Sequence, residues 1–157
     1  MIKIKLISVG KIKENYLTQG ISEYLKRLSG YCNIELIEVK DEKISSNNSE
    51  EKIKEIEANR ILEKIGDRDY VVLLDLKGKE FTSEELALKL ENLIDSGVGS
   101  YTFVIGGSLG VSERVRKKAN LLLSFSKLTF THQMIKLFLL EQIYRSFKII
   151  NKETYHK

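Results

Sequence analysis

The chain has 157 residues, 42% of them hydrophobic and 31% charged, which fits one globular domain, residues 1–157, with a buried core. No apolar run nears the roughly 18 residues needed to span a bilayer. Its single cysteine excludes an internal disulfide, and two histidines are too few for a conventional zinc site, so neither metal nor membrane is expected; the net charge of +4 admits an anionic partner without specifying one.

Met1-Ile-Lys-Ile-Lys-Leu-Ile alternates like a strand, with Ile2, Ile4 and Leu6 on one face, and Gly10 ends it. It lacks the continuous apolar region of a signal peptide, so a cytoplasmic location is expected. Glu14 to Leu28 reads as a helix, with Leu17, Ile21, Leu25 and Leu28 at helical spacing. Cys32 precedes a second strand, Ile34 to Val39, and reads as a packed thiol. Asp41 to Ser49 is polar and reads as a mobile loop. Glu50 to Ile65 is a charged helix expected to turn Ile53, Ile56 and Ile61 inward.

Val71-Val-Leu-Leu74 has the continuous apolar character of a strand buried on both faces, and Lys77-Gly-Lys79 is expected to turn the chain. Thr82-Ser-Glu-Glu85 is a capping-box pattern, followed by a stripe of Leu86, Leu90 and Leu93. Tyr101 to Ile105 is the next strand, Ser112 is placed to cap a helix reaching Asn120, and Leu121 to Phe125 is a final short strand. Strands alternating with helices predict an α/β fold, a mainly parallel sheet with helices on both faces. Ligands of such sheets bind beyond the C-terminal strand ends, here Leu74, Gly106 and Phe125. His132 to Ile150 leaves only a narrow polar face, so this helix is expected to be buried nearly all round, by its own chain or by a second copy in a homodimer.

Gly106-Gly-Ser-Leu-Gly110 follows a strand and precedes a helix, so its backbone can approach a ligand closely. It fits neither the dinucleotide fingerprint nor the phosphate-binding loop, and an ordinary tight turn needs the same residues. His132 reads equally as a helix cap, Arg145 as a surface residue and Tyr155-His156-Lys157 as a frayed end.

Taken together and in order, these segments resemble the RlmH family, SPOUT-type methyltransferases of bacterial large-subunit ribosomal RNA. The resemblance runs through Ile7-Ser-Val-Gly-Lys11, Glu23-Tyr-Leu-Lys-Arg27 and Ile34-Glu-Leu-Ile-Glu-Val39 to Leu74-Asp-Leu-Lys-Gly78 and Phe103-Val-Ile-Gly-Gly107. It continues through Leu123-Ser-Phe-Ser-Lys-Leu-Thr-Phe130 and Glu141-Gln-Ile-Tyr-Arg145 to the terminal Tyr-His-Lys. It implies a SPOUT fold with a C-terminal trefoil knot, a homodimer, and S-adenosyl-L-methionine as methyl donor. The donor site it implies is Leu74, Gly106, Gly107, Phe125, Ser126, Lys127, Leu128, Thr129 and Phe130. The implied acceptor is N3 of a pseudouridine in 23S rRNA within the ribosome, with His132, Arg145, Tyr155 and His156 as the catalytic set. The main alternative is a non-catalytic RNA-binding or ribosome assembly factor, which leaves the glycine turn and the Tyr-His end unexplained. A nucleotide- or flavin-binding α/β protein is disfavoured by the missing phosphate signatures.

Overall fold

The computed structural model describes residues 1–157. Strands and helices alternate: β1 (Lys3–Val9), α1 (Asn15–Leu28), β2 (Asn33–Val39), α2 (Glu50–Leu62), β3 (Tyr70–Glu80), α3 (Ser83–Asp95), β4 (Ser100–Ile105), α4 (Glu113–Lys118), β5 (Leu121–Ser124) and α5 (His132–Ile150). The sheet order is β2-β1-β4-β3-β5 and every neighbouring pair is parallel. Parallel neighbours require crossovers, and the helices that supply them cover both faces, as the alternation predicts. Helices α1, α3 and α5 close one face around Leu6, Ile21, Leu90, Phe103, Leu139 and Ile143. Helices α2 and α4 close the other around Ile7, Ala58, Ile61, Leu73, Val104 and Val115. No helix is long and apolar enough to cross a membrane.

Several local expectations change. Lys77-Gly-Lys79 is not a turn: β3 runs on to Glu80, and its pairing with β5 resumes at Lys79–Leu123 after an irregularity that begins at Leu74. Gly78 permits this, because a Cβ there would lie 2.6 Å from the Leu122 backbone carbonyl. Helix α2 stops at Leu62, and the bonds from Lys64 N to Ile61 O and Ile65 N to Leu62 O tighten its end toward Gly66. Its inward face is Ile53, Glu57, Ala58 and Ile61, with Ile56 only half-buried. In α3 the capping box forms as expected, but Ala87 and Leu90 are its buried residues and Leu86 and Leu93 are half-buried. Helix α4 ends at Lys118, and Ser112 stands at its N-cap position without making a cap bond. Helix α5 is buried along most of its circumference, yet Met134 and Phe138 are 37% and 38% exposed. Cys32 is buried as expected, and burial pushes its thiol up to about 12.

Near the N-terminal strand ends, Asp69 ties its own turn to β1 and β4. Its carboxylate accepts from Ser100 Oγ (2.6 Å), Thr102 Oγ1 (2.6 Å), Gly66 N (2.8 Å) and Lys5 Nζ (2.9 Å). Burial pushes this carboxyl's pKa up, but the four donors outweigh it and hold the group far below the ordinary carboxylate range. The depressed folded-state pKa gives stability that is fully present above the unfolded value of about 4 and fades as pH falls toward the folded one. Asp69→Ala is therefore expected to cost about 3–5 kcal/mol at pH 7 in urea unfolding. The gap between variant and wild type should narrow at pH 3; an equal gap at both pH values would contradict this account.

Candidate functional site

The C-terminal ends of β3, β4 and β5 open onto one cleft of about 860 Å³, within the range of small-molecule sites. Three chain segments form most of its wall: Leu74–Lys77 at the irregularity within β3, Gly106–Val111 after β4, and the stretch from β5 into the first turn of α5. Glu14, Tyr16 and Leu17 close it from α1. The crevice thus lies where parallel sheets place their ligands, because loops diverge beyond the strand ends.

The glycine turn is built around bare backbone. Gly110 has φ +86°, and its N–H donates to Gly107 O at 3.0 Å. A Cβ on Gly106 would lie 2.6 Å from Val111 Cγ1, and one on Gly107 would lie 3.0 Å from Glu57 Oε1. Glu57 is buried beneath the turn, where burial raises its pKa and the N–H of Glu42, donating at 3.0 Å, partly offsets the rise. Opposite the turn, Ser124 Oγ donates to Ser126 O (3.1 Å) and Ser126 Oγ accepts from Leu128 N (3.0 Å), which folds 124–128 into a tight knuckle. Thr131 then caps α5 through Met134 N at 3.1 Å and sets His132 in the first turn, facing the cleft.

Of the residues expected to hold a donor, Leu74, Gly106, Gly107, Phe125, Ser126, Leu128, Thr129 and Phe130 line this cleft. Lys127 does not, because the knuckle turns it away from the wall. The cleft also enlists Asp75 and Arg116, an ion pair in which the Asp75 carboxylate is only 7% exposed. Asp75 is legible in sequence as the residue after a buried strand, whereas Arg116 reads as one of several charges on a short basic helix. No group of three or more His, Cys, Asp or Glu is placed to hold a metal ion.

The residues expected to be catalytic do not gather at one place. His132 belongs to the cleft, but Arg145, Tyr155 and His156 form a separate cluster near the other end of α5. Thirteen residues of helix separate His132 from Arg145, a span of about 20 Å. In the cluster, Arg145 Nη2 and Nε donate to Glu141 Oε1 at 2.5 and 3.1 Å, and the guanidinium lies 4.7 Å from the Tyr155 ring centre. The bond to Glu141 raises the pKa of Arg145.

Donor logic fixes the remaining protons. Arginine only donates, so His156 Nδ1 accepts from Arg145 Nη1 at 3.0 Å; Nε2 then carries the proton and donates to Glu84 Oε1 at 2.5 Å. Tyr155 Oη donates to Glu141 at 2.9 Å and accepts from Tyr24 at 3.1 Å. Burial, followed by these two bonds, raises the pKa of the Tyr155 phenol and keeps it neutral. The signal that could have found Glu141 is its four-residue spacing from Arg145. Glu84 and Tyr24 carry no such signal, because tertiary packing alone brings them to the C-terminus.

A family model described as "Predicted SPOUT methyltransferase" matches residues 2–156. The ribosomal RNA large subunit methyltransferase H of Halothermothrix orenii is 52% identical over 159 aligned positions, covering 99% of this chain and 100% of the relative. The proteins of the same name from Streptococcus thermophilus and Enterococcus faecalis are 52% and 51% identical with the same coverage. In fold, the chain is similar to a probable methylase family protein from Haemophilus influenzae Rd KW20, with a TM-score of 0.54 at 13% identity, over 98% of this chain and 70% of the other.

Proposed function

The chain belongs to the SPOUT methyltransferase family, and on that premise we propose that it transfers the methyl group of S-adenosylmethionine to N3 of a pseudouridine in 23S rRNA of the large ribosomal subunit. The observation that carries this reading is the cleft itself. Bare glycine backbone faces apolar walls at the ends of three parallel strands, which suits a nucleoside-bearing cofactor whose base is read by main-chain groups. When bound, S-adenosylmethionine supplies a methyl already activated for displacement. Leu74, the Gly106–Gly110 turn and residues 125–130 other than Lys127 would hold it. The family also implies a C-terminal trefoil knot, with α5 packed against both α1 and α3.

The chain's own residues then have two tasks. N3 of pseudouridine lies between two carbonyls and attacks only when its proton leaves. His132 takes that proton in this reading, because it lines the cleft whereas both nitrogens of His156 are already engaged. Arg145 stabilises the imide anion, with its fork oriented by Glu141 and His156 and its plane braced on Tyr155. These groups serve one base only if a second copy supplies the Arg145 cluster to the cleft of the first, since about 20 Å is beyond the reach of one nucleobase. The exposed apolar face of Leu128, Phe130, Met134 and Phe138 beside the cleft supports such a homodimer.

Cofactor titration tests the site. S-adenosylmethionine is expected to bind saturably in calorimetry, and Gly106→Ala should weaken it at least about tenfold by forcing Val111 or Gly110 to move. Absence of binding by the wild type would contradict the reading and favour the non-catalytic assembly factor.

A further inference from the structure

Two adjacent loops near the cleft carry four lysines. The β1–α1 loop carries Lys11 and Lys13, and the β2–α2 loop carries Lys40 and Lys43; all four are exposed. None of the four is in a salt bridge. The same loops carry three acidic residues, Glu14, Asp41 and Glu42. Glu42 is taken by Arg60, which leaves the exposed Glu14 and Asp41.

The parallel register makes the two loops one surface. Val9 pairs with Val39, and Gly10 N donates to Val39 O at 2.8 Å, so Lys11 and Lys40 leave neighbouring strands side by side. The surface is also held in place. Arg60 donates to Lys40 O at 2.9 Å and to the Glu42 carboxylate at 2.8 Å, while Glu42 N donates to the buried Glu57. It adjoins the cleft at two points. Val9 and Glu57 support Gly107 from beneath, and the segment after Lys13 supplies Glu14, Tyr16 and Leu17 to the cleft wall. Exposed, unpaired ammonium groups on a fixed backbone are suited to polyanion phosphates, which gain from charge without requiring directional readout.

We propose that the loops following β1 and β2 are a docking bank for the RNA backbone, in which Lys11, Lys13, Lys40 and Lys43 contact phosphates flanking the nucleotide presented at the cleft. The inference rests on the rRNA methyl-transfer reading and adds to it the surface that positions the substrate. The bank contributes affinity for RNA and nothing to the cofactor.

The test compares Lys11→Ala/Lys13→Ala and Lys40→Ala/Lys43→Ala with Lys117→Ala/Lys118→Ala, which removes the same charge from exposed positions at the end of α4. Methylation of unmodified ribosomes is measured against salt concentration, with S-adenosylmethionine affinity measured alongside. Each bank pair is expected to raise the KM for ribosomes about tenfold and to lower the log–log salt slope by about 2, with cofactor affinity unchanged. The α4 pair should match the wild type. Wild-type turnover with bank pairs that behave like the α4 pair would overturn the inference alone. A wild type without turnover would overturn the underlying reading and this inference with it.

Discussion

Arg145→Ala is expected to lower methyl transfer by about 10³-fold while leaving S-adenosylmethionine affinity within about twofold. Three partners fix the guanidinium: two of its nitrogens reach Glu141 Oε1, one reaches His156 Nδ1, and its plane lies over Tyr155. A cation held this rigidly is suited to charge that appears only as N3 loses its proton, so its loss acts on turnover rather than on the ground state. Arg145 is not among the residues that line the cleft, and its charge answers only the acceptor base, which is why cofactor binding should survive. Arg145→Lys keeps the charge but loses the planar fork, so it should recover only a small part of the rate. A steady-state comparison decides the matter. An alanine variant that is folded, binds cofactor and keeps more than a tenth of wild-type turnover would remove Arg145 from the mechanism.

Mixing two inactive variants is expected to restore activity. If the site takes His132 from one copy and Arg145 from the other, equal amounts of His132→Ala and Arg145→Ala chains, co-refolded, give heterodimers in half the population. Each heterodimer holds one intact site and one doubly defective site, so about a quarter of wild-type activity should return. A site made within one chain gives every heterodimeric site one defect and restores nothing. The about 20 Å between these residues along α5 makes the first outcome the expected one. Phe138→Glu, placed on the exposed apolar face, should block both dimer formation in ultracentrifugation and the restored activity.

Local physics made much of this protein legible from its residues. The capping box at Thr82 and Glu85 uses only groups within one turn, and it forms as read. The strand read from Met1–Ile7 and the apolar run from Val71 need only the sheet around them, although β1 alternates only to Leu6 and is buried on both faces through Val9. The glycine turn was visible as a turn, and the cleft above it follows from parallel strands ending side by side. Features set by distant contacts were not visible. Nothing near Gly78 announces that the Leu122 backbone passes within a methyl's breadth, so the segment reads as a turn when it is strand. The helical periodicity of α5 reports apolarity but not which residues its own chain covers, and Met134 and Phe138 remain exposed. The residues expected to be catalytic come together in the sequence only through resemblance to a family, which carries no distances. Only the length of α5 separates His132 from Arg145, Tyr155 and His156.

The most direct measurement is to incubate the purified protein with S-adenosylmethionine carrying a labelled methyl group and ribosomes that lack the modification, then to locate the label by mass spectrometry of the digested RNA. One labelled methyl per large subunit, on N3 of a pseudouridine in 23S rRNA, is the predicted result. Label on another atom or another RNA, or none at all from a protein that is folded and dimeric, would contradict it.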